Sequence, residues 1–273
     1  MIRIKYIVIV FFLFCNSVYG QQNTDTATLI KDFTKIMSFT SQPYLYYTTT
    51  TKMSAEPVLE SMDTLSMTGE FFKNNTEIYS STRKEEMYLQ DSLMIEINND
   101  RKTIWVRKVD MATKMNLNIL PVNTGEMLDK FRKDYVISKS TVSDGVSRLN
   151  FEERKQEHNT SATTTFVTVE YSEKTYLPQV IEILIELKQP ADEQVIDAIK
   201  TEGLDESKLI KMVDGVKQLV RKQKVSIVFT SIDYGREKLA KMPSYKSNFE
   251  FDVRTQEFSG KGLYRDYEVT KTF

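Results

Sequence analysis

Residues 180–187, VIEILIEL, decide how this chain reads. Ile181, Ile183, Ile185 and Leu187 fall on one face of an extended strand, and Glu182 and Glu186 fall on the other. That two-residue period marks a strand with one buried and one wet face, the pattern common in antiparallel sheets. The same character recurs upstream. Residues 44–53 (YLYYTTTTKM) combine aromatics and threonines, which suit a pleated surface. Residues 65–73 and 76–81 flank Asn74-Asn75, a tight-turn pair. Residues 92–98 alternate, with Leu93, Ile95 and Ile97 on one face; Asn99-Asp100 turns the chain and residues 102–108 return. Residues 135–142 and 146–153 flank Asp144-Gly145, and 162–171 precede the reference stretch. Downstream, 224–233, 249–253 and 263–271 read as further strands. Successive strands joined by turn residues predict an antiparallel meander, a mainly β (α+β) fold.

Helical periodicity interrupts this in three places. Residues 24–39 place Leu29, Ile30, Phe33, Ile36 and Met37 at three- and four-residue spacing. Thr24 and Asp25 are N-cap candidates, and Gln42-Pro43 ends the helix. Residues 123–133 predict a short helix, with Asn123 and Glu126 at capping-box spacing and Met127, Leu128 and Phe131 as its stripe. After Leu187, Pro190 suits a first helical position, Val195, Ile196 and Ile199 form a stripe, and Gly203 breaks it. A second helix is expected over 205–222 from Leu209, Met212, Val213, Val216, Leu219 and Val220, weakened by Gly215. The helical pair 190–222 thus reads as an insertion between two strands that would otherwise form a hairpin.

The N-terminus is an address. Arg3 and Lys5 precede a nine-residue apolar run, 6–14 (YIVIVFFLF), too short to span a bilayer. Val18-Tyr19-Gly20 follows, so residues 1–20 read as a secretory signal cut after Gly20. Phe14 before Cys15 does not fit a lipidation site, so Cys15 leaves with the signal. No further apolar run is long enough to span a membrane, and residues 21–273 read as one exported domain, periplasmic or extracellular.

Composition removes several classes of function. The 273 residues carry 37 Lys+Arg against 38 Asp+Glu, a formal charge of −1, which argues against a nucleic-acid binder. One Cys and one His exclude Cys/His zinc sites, haem attachment and a disulfide framework. His158 is read as a polar turn residue, since no G-x-S-x-G elbow accompanies it. Glu85-Glu86 and Glu152-Glu153 are neighbours on strands, so each pair points to opposite faces and reads as surface charge. With only nine glycines there is no phosphate-cradling loop. Lys208, Lys211, Lys217, Arg221, Lys222 and Lys224 make the second inserted helix basic, a solvated face or a partner surface. The expectation is a protein that is not an enzyme and needs neither cofactor nor metal.

The order of these pieces resembles a known family. GEFFKNNTEIYS (69–80), INNDRKTIWVRK (97–108), NTGEMLDKF (123–131), YLPQVIEILIEL (176–187), VSIVFTSIDY (225–234) and SNFEFDV (247–253) are similar, in sequence order, to the periplasmic outer-membrane lipoprotein carriers, the LolA/LolB-like proteins. The resemblance implies a strongly curved, half-open antiparallel barrel, an N-terminal lid helix and an interior that takes acyl chains. The family's functional Arg region matches residues 72–76, where this chain has Asn74-Asn75 with Lys73 as the nearby cation. The expected function is therefore that of a periplasmic binding protein holding lipid or an acylated protein, at about 0.8 kcal/mol per buried methylene. The expected lining is Phe33, Ile36 and Met37 from the lid and Tyr46, Met67, Phe71, Ile95 and Trp105 from the sheet. The rival expectation is an envelope interaction module whose interior is filled and whose insertion docks a partner protein.

Overall fold

The computed structural model describes residues 24–272 except 57, 59–63, 76, 91, 110–132, 155–162, 214, 253 and 255–256. The expected helix over 123–133 and His158 lie largely or wholly outside the described residues.

Helix α1 (Thr24–Met37) continues as one 3-10 turn, Ser38–Ser41, before the first strand. Strands β1 (Tyr44–Glu56), β2 (Ser66–Asn74), β3 (Glu77–Thr82), β4 (Glu85–Gln90), β5 (Leu93–Asn98) and β6 (Thr103–Lys108) form a meander. Its turns fall where turn residues stand; Asn75 takes φ 54° at the β2–β3 corner and Lys102 φ 51° before β6. Strands β7 (Tyr135–Ser143), β8 (Val146–Glu153), β9 (Thr163–Ser172) and β10 (Pro178–Pro190) form a second meander. After helices α2 (Glu193–Thr201) and α3 (Glu206–Leu209) come β11 (Ile210–Val213) and the long β12 (Val216–Asp233). Short helices α4 (Arg236–Leu239) and α5 (Tyr245–Asn248), the hairpin β13 (Phe249–Asp252)–β14 (Glu257–Gly260) and β15 (Glu268–Thr272) complete the described chain.

One open, curved sheet of 13 strands results, in the order β15-β6-β5-β4-β3-β2-β1-β12-β10-β9-β8-β7, with β11 beside β12. Strand β12 joins the two meanders, pairing with β1 from Tyr46↔Asp233 to Glu56↔Lys222 and with β10 from Val180↔Val228 to Pro190↔Gln218. The strands either side of the insertion therefore do pair directly, as expected.

The insertion itself differs from the sequence reading. Pro190 closes β10 instead of opening a helix; the cap of α2 is Asp192, whose carboxylate accepts from Val195 N–H at 2.9 Å. The second expected helix is one turn, α3, followed by the β11–β12 hairpin with Gly215 at φ 77°. An Asp-Gly turn between β-branched runs is a hairpin signal. Pairing with β10 on the far side of β12 overrides a helical period that the same apolar positions also satisfy.

The two meanders are covered differently. Over β7–β10 and β12, α1 buries one face: Ile30, Phe33 and Ile36 meet Leu149, Phe151, Val169, Tyr171, Ile181, Ile183 and Val225. The other face of that half is wet, laced by Lys224–Glu182 at 2.7 Å, Lys188–Glu186 at 3.4 Å and an Arg148–Glu170 pair. Strands β2–β5 bury apolar side chains on both faces. Leu45, Phe71, Ile78, Leu89 and Met94 join Phe39 on the helix side. Phe72, Tyr79, Tyr88, Ile95, Ile97, Ile104 and Val106 pack under a C-terminal cap of Leu239, Phe249, Phe258 and Tyr264.

Candidate functional site: a filled helix face and an aromatic cleft

The helix face is the compartment the sequence reading assigns to a ligand. Ile36 is fully buried there and Phe33 is 4% exposed, its ring edge-on to Phe151 at 4.9 Å. Where α1 ends, four rings close the space: Tyr47 stacks on Phe71 at 4.7 Å, and Phe229 lies 5.6 Å from Tyr47 and 5.7 Å from Phe39. Burial raises the Tyr47 phenol well above its ordinary range. Beyond them the buried Lys73 ammonium donates to the Thr40 carbonyl at 3.0 Å, and desolvation lowers its pKa.

Helix α1 is also held by charge. Asp32, 8% exposed, accepts from the Tyr171 hydroxyl at 3.3 Å and lies 3.6 Å from the Lys139 ammonium. Lys139 reaches Glu173 at 3.0 Å, and Glu173 accepts from Ser147 at 2.6 Å. Tyr171 and then Glu173 hold the Lys139 ammonium above its usual range; Ser147 and Lys139 hold the Glu173 carboxyl below its own. Lifting α1 would expose Ile30, Phe33 and Ile36, at roughly 1.5–3 kcal/mol each. That total, about 5–9 kcal/mol, is comparable with the whole stability of an ordinary domain. The helix is part of the core, not a loose lid.

The eight expected lining residues do not share one compartment. Phe33, Ile36 and Met37 lie on α1 against the sheet, and Phe71 is buried on the same side. Met67 shares the face of Phe71 and is half-buried. Trp105 also lies on that side, through the register Phe71↔Ser80, Ser80↔Met87, Met87↔Glu96 and Glu96↔Trp105, and is 42% exposed. Tyr46 and Ile95 point through the sheet to the cap, where they join Phe72 and Tyr88. The reason is strand parity: Tyr46 sits beside Tyr47, and Ile95 beside Met94, with both neighbours of each pair apolar because both faces are buried.

The cap side holds a cleft of about 400 Å³, lined by Tyr79, Glu86, Tyr88, Asn248, Lys261 and Tyr264 among others. The Glu86 carboxylate is its hub. It accepts from Tyr264 at 2.8 Å, Tyr79 at 3.0 Å, Asn99 at 3.2 Å and Tyr88 at 3.4 Å. The Tyr88 hydroxyl also accepts from Asn248 at 3.1 Å. Burial raises the phenols of Tyr79, Tyr88 and Tyr264, and each hydroxyl donates to the carboxylate. Glu86 is thus not the surface charge expected of it. Its Oε1 ties the cap to the sheet through Tyr264, and its Oε2 holds the sheet hydroxyls of Tyr79 and Tyr88. Tyr264 lies far along the chain from Glu86, so no local spacing announces the contact. Among the described residues no three His, Cys, Asp or Glu side chains gather to hold a metal, and no helix is long and apolar enough to cross a membrane.

No protein-family model matches this sequence, and no curated protein matches it. Solved structures overlap it at low similarity. A Pseudomonas aeruginosa MucA/MucB complex gives a TM-score of 0.33 at 10% identity, over 81% of this chain and 60% of that one. A DUF1329 family protein from Desulfovibrio piger gives 0.32 at 10% identity, over 85% and 99%. MucB in complex with MucA(peri) gives 0.31 at 9% identity, over 80% and 57%. This chain thus spans less than two thirds of the matched chain in both MucB structures. At these scores the overlap assigns neither family nor activity.

Proposed function

We propose that the protein is a non-catalytic interaction module of the cell envelope, exported by its N-terminal apolar segment, which engages a partner at the periphery of its sheet. The observation that carries this reading is Ile36: it is fully buried between α1 and the sheet, in the space where an acyl chain would have to lie. Non-catalysis is supported by the commitment of the polar side chains at the cleft to one another, with Glu86 saturated by four donors.

A second reading, a binding protein for lipid or acylated protein, draws on one feature. Met67 on β2 and Trp105 on β6 are partly exposed apolar side chains on the helix face beyond α1. Organic extraction of the mature protein from an export-competent host, followed by mass spectrometry, separates the two. The interaction module emerges folded and free of stoichiometric lipid. One acyl lipid per chain, lost in Trp105→Glu with the fold intact, would replace it by the carrier reading.

A further inference from the structure

The open sheet has two ends, and they are finished differently. At one end β15 is short, carries Glu268 and Lys271, and pairs in parallel with β6. Charge and brevity are the usual protection of an exposed edge. At the other end β7 runs for nine residues, YVISKSTVS, without Pro, and pairs only with β8 among the described residues. Its one charged side chain, Lys139, does not guard the edge, because its ammonium is folded against Glu173 at 3.0 Å and Asp32 at 3.6 Å. On the wet face of the edge stand Val136, 48% exposed, Ser138 and Ser140, and Val142, 43% exposed, follows at the bulge between Thr141 and Ser143.

The ladder gives the orientation of the main chain. Arg154 N–H donates to the Asp134 carbonyl at 2.7 Å, and the register continues through Val136↔Glu152, Ser138↔Asn150 and Ser140↔Arg148. Antiparallel pairs alternate between bonded and non-bonded positions. The peptide groups of Val136, Ser138 and Ser140 therefore face β8, and those of Ile137, Lys139 and Thr141 face outward. An outward row of alternating N–H and C=O groups, repeating about every 6.8 Å, is met in full only by another extended main chain.

Resting on the interaction-module reading, we propose that β7 is the docking strand and that it takes an extended polypeptide segment of a partner protein by strand addition. The chemistry of the edge states the chemistry of the occupant. Side chains Val136, Ser138, Ser140 and Val142 are small and uncharged, so the segment that lies beside them is uncharged, with Val, Ile or Thr at alternate positions, and some seven to nine residues long. Pairing is centred on Ile137, Lys139 and Thr141.

The test uses the mature chain and a random nonapeptide display library, with residue-resolved hydrogen exchange on the selected peptides. The expected result is enrichment of uncharged, alternating β-branched sequences whose binding protects the amides of Ile137, Lys139 and Thr141. Thr141→Pro removes one outward donor while sparing the β8-facing ladder, and should weaken binding at least tenfold. The pair Val136→Lys with Val142→Lys, which leaves the main chain untouched, should do the same if the Pro variant is unfolded. Peptides that bind both variants as well as the wild type, or that protect the β11–β12 hairpin instead, overturn the docking strand but leave the interaction module standing. Protection of the three amides that rises with protein concentration alone makes the occupant a second copy and overturns the partner segment. Absence of any selected peptide together with stoichiometric lipid overturns both readings.

Discussion

Strands β7–β10 carry an apolar row on one face and ion pairs on the other, whereas β2–β5 carry apolar side chains on both. In the first region a single amphipathic helix suffices as a cover, and the sequence alternates cleanly, as in Ile181, Ile183 and Ile185 between Glu182 and Glu186. In the second, Phe71-Phe72, Ile78-Tyr79, Tyr88-Leu89 and Met94-Ile95 are adjacent apolar pairs split between the two faces. One face needs Phe39 and the end of α1; the other needs a cap drawn from the last 40 or so residues. The comparison teaches that this sheet has no empty side in the β2–β5 region. The helix half is closed by a local element, and the cap half by contacts between distant parts of the chain.

The largest expected effect breaks the helix half. Ile36→Ala should cost about 2–5 kcal/mol in urea unfolding, because a fully buried side chain leaves a cavity between α1 and the sheet. The next breaks the cap half alone. A Cβ at Gly260 would stand 2.0 Å from the Tyr264 carbonyl oxygen, a main-chain clash that no rotamer relieves. Gly260→Ala should cost roughly 1–3 kcal/mol, by analogy with overpacking. It should loosen Phe249 and Tyr264 in aromatic NMR spectra while leaving Phe33 and Phe151 unmoved; equal disturbance of both sets would contradict the division.

A smaller effect sharpens how the helix is held. Tyr171→Phe removes the hydroxyl that donates to Asp32 and should cost about 1 kcal/mol. The smallest concerns Lys73. Its buried ammonium has a pKa lowered by desolvation, so between that depressed value and the ordinary 10.5 the unfolded chain binds more protons than the folded one. Stability then rises with pH through this window. Lys73→Met should be neutral or stabilising to within about 1 kcal/mol near pH 8, and its unfolding midpoint should lack that alkaline gain. A strongly destabilised Met variant would mean that the hydrogen bond to Thr40 outweighs the burial of the charge.

Much of this architecture is legible in the residues. The alternation at 180–187, the turn pairs Asn74-Asn75 and Asp144-Gly145, and the spacing of Ile30, Phe33 and Ile36 place the meanders and α1 close to where they stand. Residues 210–213 and 216–219 pair as a hairpin although Met212, Val216 and Leu219 also satisfy the helical period that suggests a helix there. Beyond the pair Glu85-Glu86, the extent of β4 is not legible, because Tyr88 and Leu89 are both buried and give no alternation. The faces of Tyr46 and Ile95 were not legible for the same reason. The Glu86 hub depends on Tyr264, and its Tyr88 partner on Asn248, residues that only the folded chain brings near.

The central claim is that α1 is a fixed part of the core that fills the helix face. Native-state hydrogen exchange of the α1 amides as a function of low denaturant tests it most directly. The account predicts that the amides of Phe33, Ile36 and Met37 open only with the global unfolding that also exposes β9 and β10. Opening of α1 several kcal/mol below the sheet, with β9 and β10 still protected, would make it a lid over a compartment that can be emptied, and would contradict the account.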